Sequence, residues 1–300
     1  MSRDAGLRVR AFAKINVTLK VLGRRPDGYH DLRTVMQSIA LHDRLSFDAA
    51  SGPLVIECSN PDVPTDRTNL VWRAASLVWR AAGRSGPMRG FRVTIDKRIP
   101  LQAGLGGGSA DAAATLRALS RLWCPRLTPG QLTDIAARLG ADVPFFLTGG
   151  TALGVDRGDR VFSLADARPA WVVLAKPDFG VSTPDAYRWF DEQSVDARWR
   201  TGREQFRGPY GEGGNDLQRP VVRRHPRIAA LIRGLKQGGA FWVAMSGSGS
   251  ACFGMFDNAE AARAAADGLT SPRCATWVTR TQSARQFARG SEPVQLALPR

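Results

Sequence analysis

An α+β fold in two parts is what this sequence predicts, and three observations carry the prediction. Segments that alternate apolar and polar residues, as strands do, are mixed with segments whose apolar residues recur every three to four positions, as on one helix face. Their order fits an α+β chain. The length of 300 residues gives a prior of about two domains and enough mass for a large core.

Val9 to Leu22 alternates as a strand pair would, with Lys14 a lone charge between Ala13 and Ile15. Pro26-Asp27-Gly28 signals a turn, and Leu32 to Ile39 reads as another strand. Arg44 to Phe47 and Leu54 to Cys58 read as two short strands, followed by a proline-bearing loop from Pro61 to Arg67. Thr68 to Ala82 reads as a helix buried along Leu70, Ala74, Leu77, Val78 and Ala81. Phe91 to Ile99 alternates again. After a glycine-rich stretch, Ala112, Leu116 and Leu119 mark one face of a helix, with Ser109 where its N-cap belongs. Thr128 and Pro129 open the next helix and Gly140 closes it. Asp142 is a carboxylate in the otherwise apolar run Gly140 to Leu147; by position alone it is a cap or turn residue.

Thr151 to Phe162 reads as a hairpin turning at Arg157-Gly158-Asp159, and the boundary between parts falls there, giving 1–155 and 156–300. Trp171 to Ala175 is an apolar strand, and a helix follows with Thr183 as cap and Pro184 at its first position. Residues 198–214, rich in arginine and glycine and without an apolar stripe, read as a mobile surface loop. Val221 to Lys236 is helical with an interruption at Pro226. Phe241 to Phe256 is a strand, a glycine-serine turn and a second strand; Ala259 to Leu269 is helix and Ala275 to Thr279 a last strand. The tail from Arg289 reads as loose.

The composition, 43% hydrophobic and 23% charged, is that of a soluble globular protein. No apolar run approaches the roughly 20 residues of a membrane span, and Met1 to Gly6 lacks the apolar core of a signal peptide, so the expected location is cytoplasmic. Cys58, Cys124, Cys252 and Cys274 are scattered, and His30, His42 and His225 are the only histidines, so neither a disulfide framework nor a metal site is expected. A net charge of +15 invites a nucleic-acid reading, but the arginines are spread along the chain rather than gathered in one block. Positive charge also favours small anionic substrates.

The stretch that points to chemistry is Pro100-Leu101-Gln102-Ala103-Gly104-Leu105-Gly106-Gly107-Gly108-Ser109-Ala110. Glycines permit positive φ and close approach to bare backbone, and a helix N-terminus offers unpaired N–H donors and a positive dipole end. Together they form an anion cradle suited to a nucleotide's phosphates. The stretch fits neither G-x-x-x-x-G-K-[ST] nor G-x-G-x-x-G.

It does resemble the phosphate-binding motif of the GHMP kinase superfamily. Ala13-Lys14-Ile15-Asn16 followed by Arg25-Pro-Asp-Gly-Tyr-His-Asp-Leu32 is similar to the N-terminal signature of one branch, the 4-diphosphocytidyl-2-C-methyl-D-erythritol kinases. Asp142-Val-Pro-Phe145 resembles the family's catalytic-aspartate motif, and Gly247, Ser248 and Gly249 its third motif. The resemblance spans most of the chain; it departs at Gln102-Ala103, where glycine is frequent. It implies a two-domain GHMP kinase fold, with a ribosomal-protein-like N-terminal domain and a ferredoxin-like C-terminal one. It also implies catalysis by Lys14 and Asp142, ATP bound by residues 100–110 with Asn69 and Leu70 bordering adenine, and substrate bound by Asn16, Tyr29, His30 and Thr183. The implied co-substrate is ATP with Mg²⁺, the acceptor a small molecule rather than nucleic acid or membrane, and the assembly a monomer or homodimer. The rivals are another GHMP small-molecule kinase and, from a different class, a basic RNA-binding protein in which Asp142 would be idle.

Overall fold

The computed structural model describes residues 6–124, 126–194, 206–208 and 211–295. Among the described residues, two sheets organise the chain, one of nine strands and one of four. The first is built on two long antiparallel strands, β1 (Leu7–Arg24) and β2 (His30–Pro53). The short strands expected over 32–39 and 44–47 are one continuous strand, because no proline or glycine interrupts 32–51. Nor is Val9 to Leu22 a strand pair; it is the body of β1. Its residues 11–19 are all buried, since the strand is covered on both faces and strict alternation is not required of it.

A register shift against β2 between Phe12 and Lys14 decides where the site will lie. Before it, Leu7, Val9 and Ala11 join the core under the helices. After it, Ala13, Ile15 and Val17 join the core against the second sheet, with Val172, Leu174 and Phe253. A one-residue slip exchanges the two faces of a strand, and the residues left between, Lys14 and Asn16, are polar yet buried.

On one side of β2 lie β3 (Val55–Cys58) and β4 (Arg89–Asp96), parallel to each other and joined across α1 (Leu70–Ala81). The buried face of α1 is Val71, Ala74, Ala75, Val78 and Trp79. Leu70 and Leu77 are only half-buried and Ala81 is exposed, so the expected stripe was rotated by about one residue. α2 (Gly107–Trp123) packs on β1 and α1 and is buried nearly all round, its alanines admitting close neighbours. α3 (Pro129–Leu139) carries the Thr128 cap, closed into a box by Gln131. A short α4 (Phe145–Thr148) follows, then the hairpin β5 (Thr151–Asp156) and β6 (Arg160–Ser163), which pairs with the first half of β2.

The second sheet contains β7 (Trp171–Pro177), β10 (Trp242–Met245), β11 (Cys252–Phe256) and β12 (Cys274–Arg280), all antiparallel with β11 and β7 central. Its helices are α5 (Thr183–Ser194), α6 (Gln218–Arg224), α7 (Pro226–Gln237) and α8 (Ala259–Leu269). The order strand, helix, strand, strand, helix, strand is the ferredoxin-like plan.

Three pieces of the second half return to the first sheet. β9 (Gly211–Asn215), hairpinned to β8 (Phe206–Gly208), runs parallel to β1 at Thr18 and Leu19. β13 (Val294–Gln295) pairs with Leu7 and Arg8, and α9 (Ala284–Ser291) sets Phe287 against Phe12 at 5.7 Å. The loop expected over 198–214 therefore contains strand at 206–208 and 211–215; the rest of that expectation lies outside the described residues. The tail from Arg289 is not loose as far as Gln295, because Phe287 and the β13 pairing tie it down.

Candidate active site

Two glycine turns pressed together form the floor of a cavity of about 880 Å³ between the two sheets. Gly104 has φ 76°, and a Cβ there would lie 1.9 Å from the carbonyl oxygen of Ser246. A Cβ on Gly249 would lie 2.1 Å from the Gly104 nitrogen, so backbone meets backbone. Ser246 Oγ donates to the Gly104 carbonyl at 2.9 Å, and the Ala251 N–H donates to that of Ala103 at 3.2 Å. Gln102, in the position where glycine is frequent, takes φ 52° in the left-handed region, a strain of about 1–2 kcal/mol for a residue with a Cβ.

Helix α2 starts three residues earlier than expected. Its cap is Gly106 at φ 72°, and Ser109 lies inside the first turn. The glycine run wins over the serine because only glycine adopts that φ cheaply, and a Cβ on Gly106 would strike the Phe146 ring at 2.6 Å. The cap has no side chain, so the first-turn N–H groups of Gly107, Gly108 and Ser109 receive no capping bond. All three residues line the cavity. This is the geometry of an anion site.

Lys14 and Asp142 meet at the mouth of that site. Lys14 Nζ lies 3.3 Å from Asp142 Oδ2; the lysine side chain is 3% exposed, the aspartate 38%. Lys14 Nζ also donates to Asn16 Oδ1. Asn16 Nδ2 donates to Thr34 Oγ1 at 2.8 Å, and Thr34 passes its own proton to the Thr18 carbonyl at 2.7 Å. The chain of bonds fixes which way the Asn16 oxygen faces. An ammonium has three donors, so one N–H of Lys14 is left beside Gly247, whose Cβ would lie 3.4 Å from Nζ.

At the other end of the cavity, the turn after β1 presents Tyr29, with its ring exposed and the Arg157 guanidinium 5.2 Å from its centre. His30 is buried, stacked on Tyr187 at 4.8 Å and hydrogen-bonded through Nε2 to Asp191 Oδ1 at 2.7 Å. Burial, with Asp142 adding to it, pushes the Tyr187 phenol well above its ordinary pKa and keeps it neutral. Thr183, taken from sequence as the cap of α5, lies inside the helix; Ser182 Oγ receives the Asp185 N–H at 3.2 Å, and Thr183 instead bonds Ser248 Oγ at 2.7 Å.

Behind the phosphate cradle sits a second lysine. Lys97 Nζ bridges Asp43 and Asp111, 2.6 Å from each, and none of the three side chains is more than 4% exposed. Burial, reinforced by Asp43 and opposed by Lys97, pushes the Asp111 carboxyl up to about 7. Its Oδ1 has no hydrogen-bond partner.

The cavity thus gathers Lys14, Asn16, Tyr29, His30, Leu70, residues 100–109, Asp142, Thr183, Gly247 and Ser248. Three expected residues stand behind its wall. Asn69 caps α1, accepting the Val71 N–H at 2.8 Å; Ala110 is buried within α2; Gly249 is covered by Gly104. Sequence reasoning missed Tyr187 and Asp191. A signal existed, because Thr183, Tyr187 and Asp191 follow at i, i+4 and i+8 on one helix face. Lys97, Asp43 and Asp111 were also missed; they are distant in sequence and form no local pattern.

Known proteins resemble this chain over most of its length. The profile of the GHMP kinases N terminal domain matches residues 69–150, and that of the GHMP kinases C terminal matches residues 205–272. A 4-diphosphocytidyl-2-C-methyl-D-erythritol kinase from Moorella thermoacetica is 45% identical over 287 residues, covering 92% of this chain and 99% of its own length. Its counterpart from Pelotomaculum thermopropionicum is 45% identical over 262 residues, covering 84% and 90%. A crystal structure of 4-(cytidine 5′-diphospho)-2C-methyl-D-erythritol kinase matches with a TM-score of 0.74 at 36% identity, covering 92% of this chain and 99% of that one.

Proposed function

The chain belongs to the GHMP kinases, among the 4-diphosphocytidyl-2-C-methyl-D-erythritol kinases, and we infer that it transfers the γ-phosphate of ATP to the 2-hydroxyl of 4-diphosphocytidyl-2-C-methyl-D-erythritol. The observation that carries the chemistry is the Lys14–Asp142 pair beside an uncapped helix N-terminus. Phosphoryl transfer needs positioning and charge stabilisation more than covalent help. The first-turn N–H groups of α2 hold the phosphates. The spare Lys14 N–H meets an oxygen of the transferring group, while the same ammonium orients Asp142. Asp142 accepts the proton of the attacking hydroxyl; its partial exposure leaves room for that hydroxyl to reach it.

Among the described residues no group of three or more acidic, histidine or cysteine side chains forms a metal cage. A Mg²⁺ entering with the triphosphate would neutralise phosphate charge beside the first turn of α2. No described helix is long and apolar enough to cross a membrane. The reading places the reaction in the cytoplasm, where ATP is, as a step of the methylerythritol phosphate route to isoprenoid precursors.

The test is acceptor-dependent release of ADP by the purified protein. ADP should form with 4-diphosphocytidyl-2-C-methyl-D-erythritol and not with mevalonate, homoserine or galactose. Turnover of one of those three in place of the cytidyl substrate would assign the chain to a different GHMP kinase.

A further inference from the structure

The base-reading end of the cavity contains a second aspartate whose role the phosphoryl-transfer reading leaves open. His30 comes from β2 in the first part of the chain and Asp191 from α5 in the second. The His30 ring is pinned: its side chain is 7% exposed, Tyr187 stacks on it at an interplanar angle of 23°, and Phe190 meets it edge-on at 88°. A carboxylate can only accept, so the 2.7 Å contact with Asp191 Oδ1 puts the imidazole proton on Nε2. The other nitrogen of a neutral imidazole is then a bare lone pair. Among the described residues Nδ1 has no hydrogen-bond partner, it is not sealed from solvent, and His30 lines the cavity.

We propose that Asp191 is a specificity-determining positioning residue: by holding the proton on Nε2 it leaves Nδ1 of His30 as an acceptor, which selects an amino group on the substrate's base. This rests on the reading that the cytidine end of the substrate lies against Tyr29 and His30. Cytosine presents a donating 4-amino group where uracil presents an accepting oxygen. A lone pair at Nδ1 bonds the first and repels the second. Without Asp191 the ring can carry its proton on either nitrogen, and Nδ1–H would serve the uracil oxygen equally well. Discrimination between two bases of the same shape is therefore set through the hold of Asp191 on the His30 ring.

Two measurements test this. The first compares kcat/KM for the cytidyl substrate and its uridyl analogue in the wild type, Asp191→Leu, Asp191→Glu and His30→Ala. Asp191→Leu should cut the cytidyl-to-uridyl ratio by about tenfold or more, as when a site built around one hydrogen bond loses it. KM for ATP should stay unchanged, and Asp191→Glu should restore part of the ratio. The second is ¹⁵N NMR of the imidazoles in the wild-type protein, with the His30 signals assigned by their loss in His30→Ala. It should show a protonated Nε2 and a bare Nδ1, and it stands even where Asp191→Leu fails to fold. A His30 protonated at Nδ1, or on both nitrogens at assay pH, overturns the proposal. So does an unchanged ratio in Asp191→Leu while His30→Ala loses it. If His30→Ala keeps both the wild-type KM and the wild-type ratio, the base does not lie here, and the placement of cytidine falls together with the proposal.

Discussion

Lys14 and Lys97 flank neighbouring glycines of one loop. A Cβ on Gly106 would lie 3.3 Å from Lys14 Cε, and a Cβ on Gly107 would lie 3.0 Å from Lys97 Nζ. Both lysines are buried and both face aspartate, yet their surroundings separate them. Lys97 is enclosed by two carboxylates at 2.6 Å, themselves sealed from solvent. Lys14 faces one carboxylate at 3.3 Å that is 38% exposed. Asp43 is further committed to the backbone, accepting the N–H of Ile99 at 2.8 Å. A lysine held between two carboxylates that are sealed from solvent ties elements together, even though Asp111 Oδ1 is left without a partner among the described residues. A cation with a spare donor, beside a carboxylate that a hydroxyl can reach, is equipped for reaction. The contrast separates structural from chemical charge by accessibility, where residue type alone cannot.

The contrast breaks most visibly at Asp142. Asp142→Asn should lower kcat by about 10²–10⁴-fold with both substrates still bound, as read by steady-state kinetics and ligand-induced thermal shifts. Lys14→Ala should fall similarly, and the double variant by less than the product, since the two act on one transferring group. Near-normal turnover of Asp142→Asn would remove the base from this site.

Lys97→Met should show the reverse pattern. It leaves two buried carboxylates facing each other without a cation, and breaking a buried ion group in this way costs about 3–5 kcal/mol. Urea denaturation should register that loss, while the folded fraction keeps a kcat close to wild type. A stable but inactive Lys97→Met would move this lysine to the chemical side.

Gly104→Ala comes next. It combines a left-handed φ with a Cβ driven into the Ser246 carbonyl, and should cost about 1–3 kcal/mol of stability and raise KM for ATP by separating the two glycine turns. Stability and KM both at wild-type values would show that the turns do not need their close approach.

The smallest effect is a pH slope. The Asp111 carboxyl, ordinarily at 3.8, stands at about 7 when folded. Between those values the folded state holds a proton that the unfolded state has released, so this group's contribution to stability falls as pH rises from 3.8 to about 7. Asp111→Asn should flatten that part of the stability curve when denaturation is followed from pH 4 to pH 8. An identical slope in variant and wild type would mean that Lys97 keeps Asp111 ionised throughout.

Much of this was legible in the sequence because it is local. The glycine stretch is readable within a few residues, the short motifs around Lys14 with Asn16 and around Asp142 stand out by their resemblance to a family, and the helix start at Thr128 and the interruption at Pro226 follow from side-chain chemistry. What failed depended on neighbours far along the chain. Alternation misjudged β1 because both its faces are covered. Ser109 lost the cap to Gly106, whose left-handed φ and close contact with the distant Phe146 ring both exclude a Cβ. The Lys97 group joins residues 54 and 14 positions away, and no window along the sequence contains it. Tyr187 and Asp191 shared a face with Thr183, but nothing in their own segment said what that face would meet.

The pairing of β1 has a consequence for the birth of the chain. Leu7 pairs with Gln295 and Thr18 with Gly214, so this strand leaves the ribosome long before those partners have been made. Until then it has only β2 beside it, and an edge meant to be covered stands open, a template for pairing with other chains. Closing it brings together residues nearly the length of the protein apart, which slows folding. The bulk of the first sheet can form early, but the flank of the strand carrying Lys14 is finished only once Val294 and Gln295 have been made.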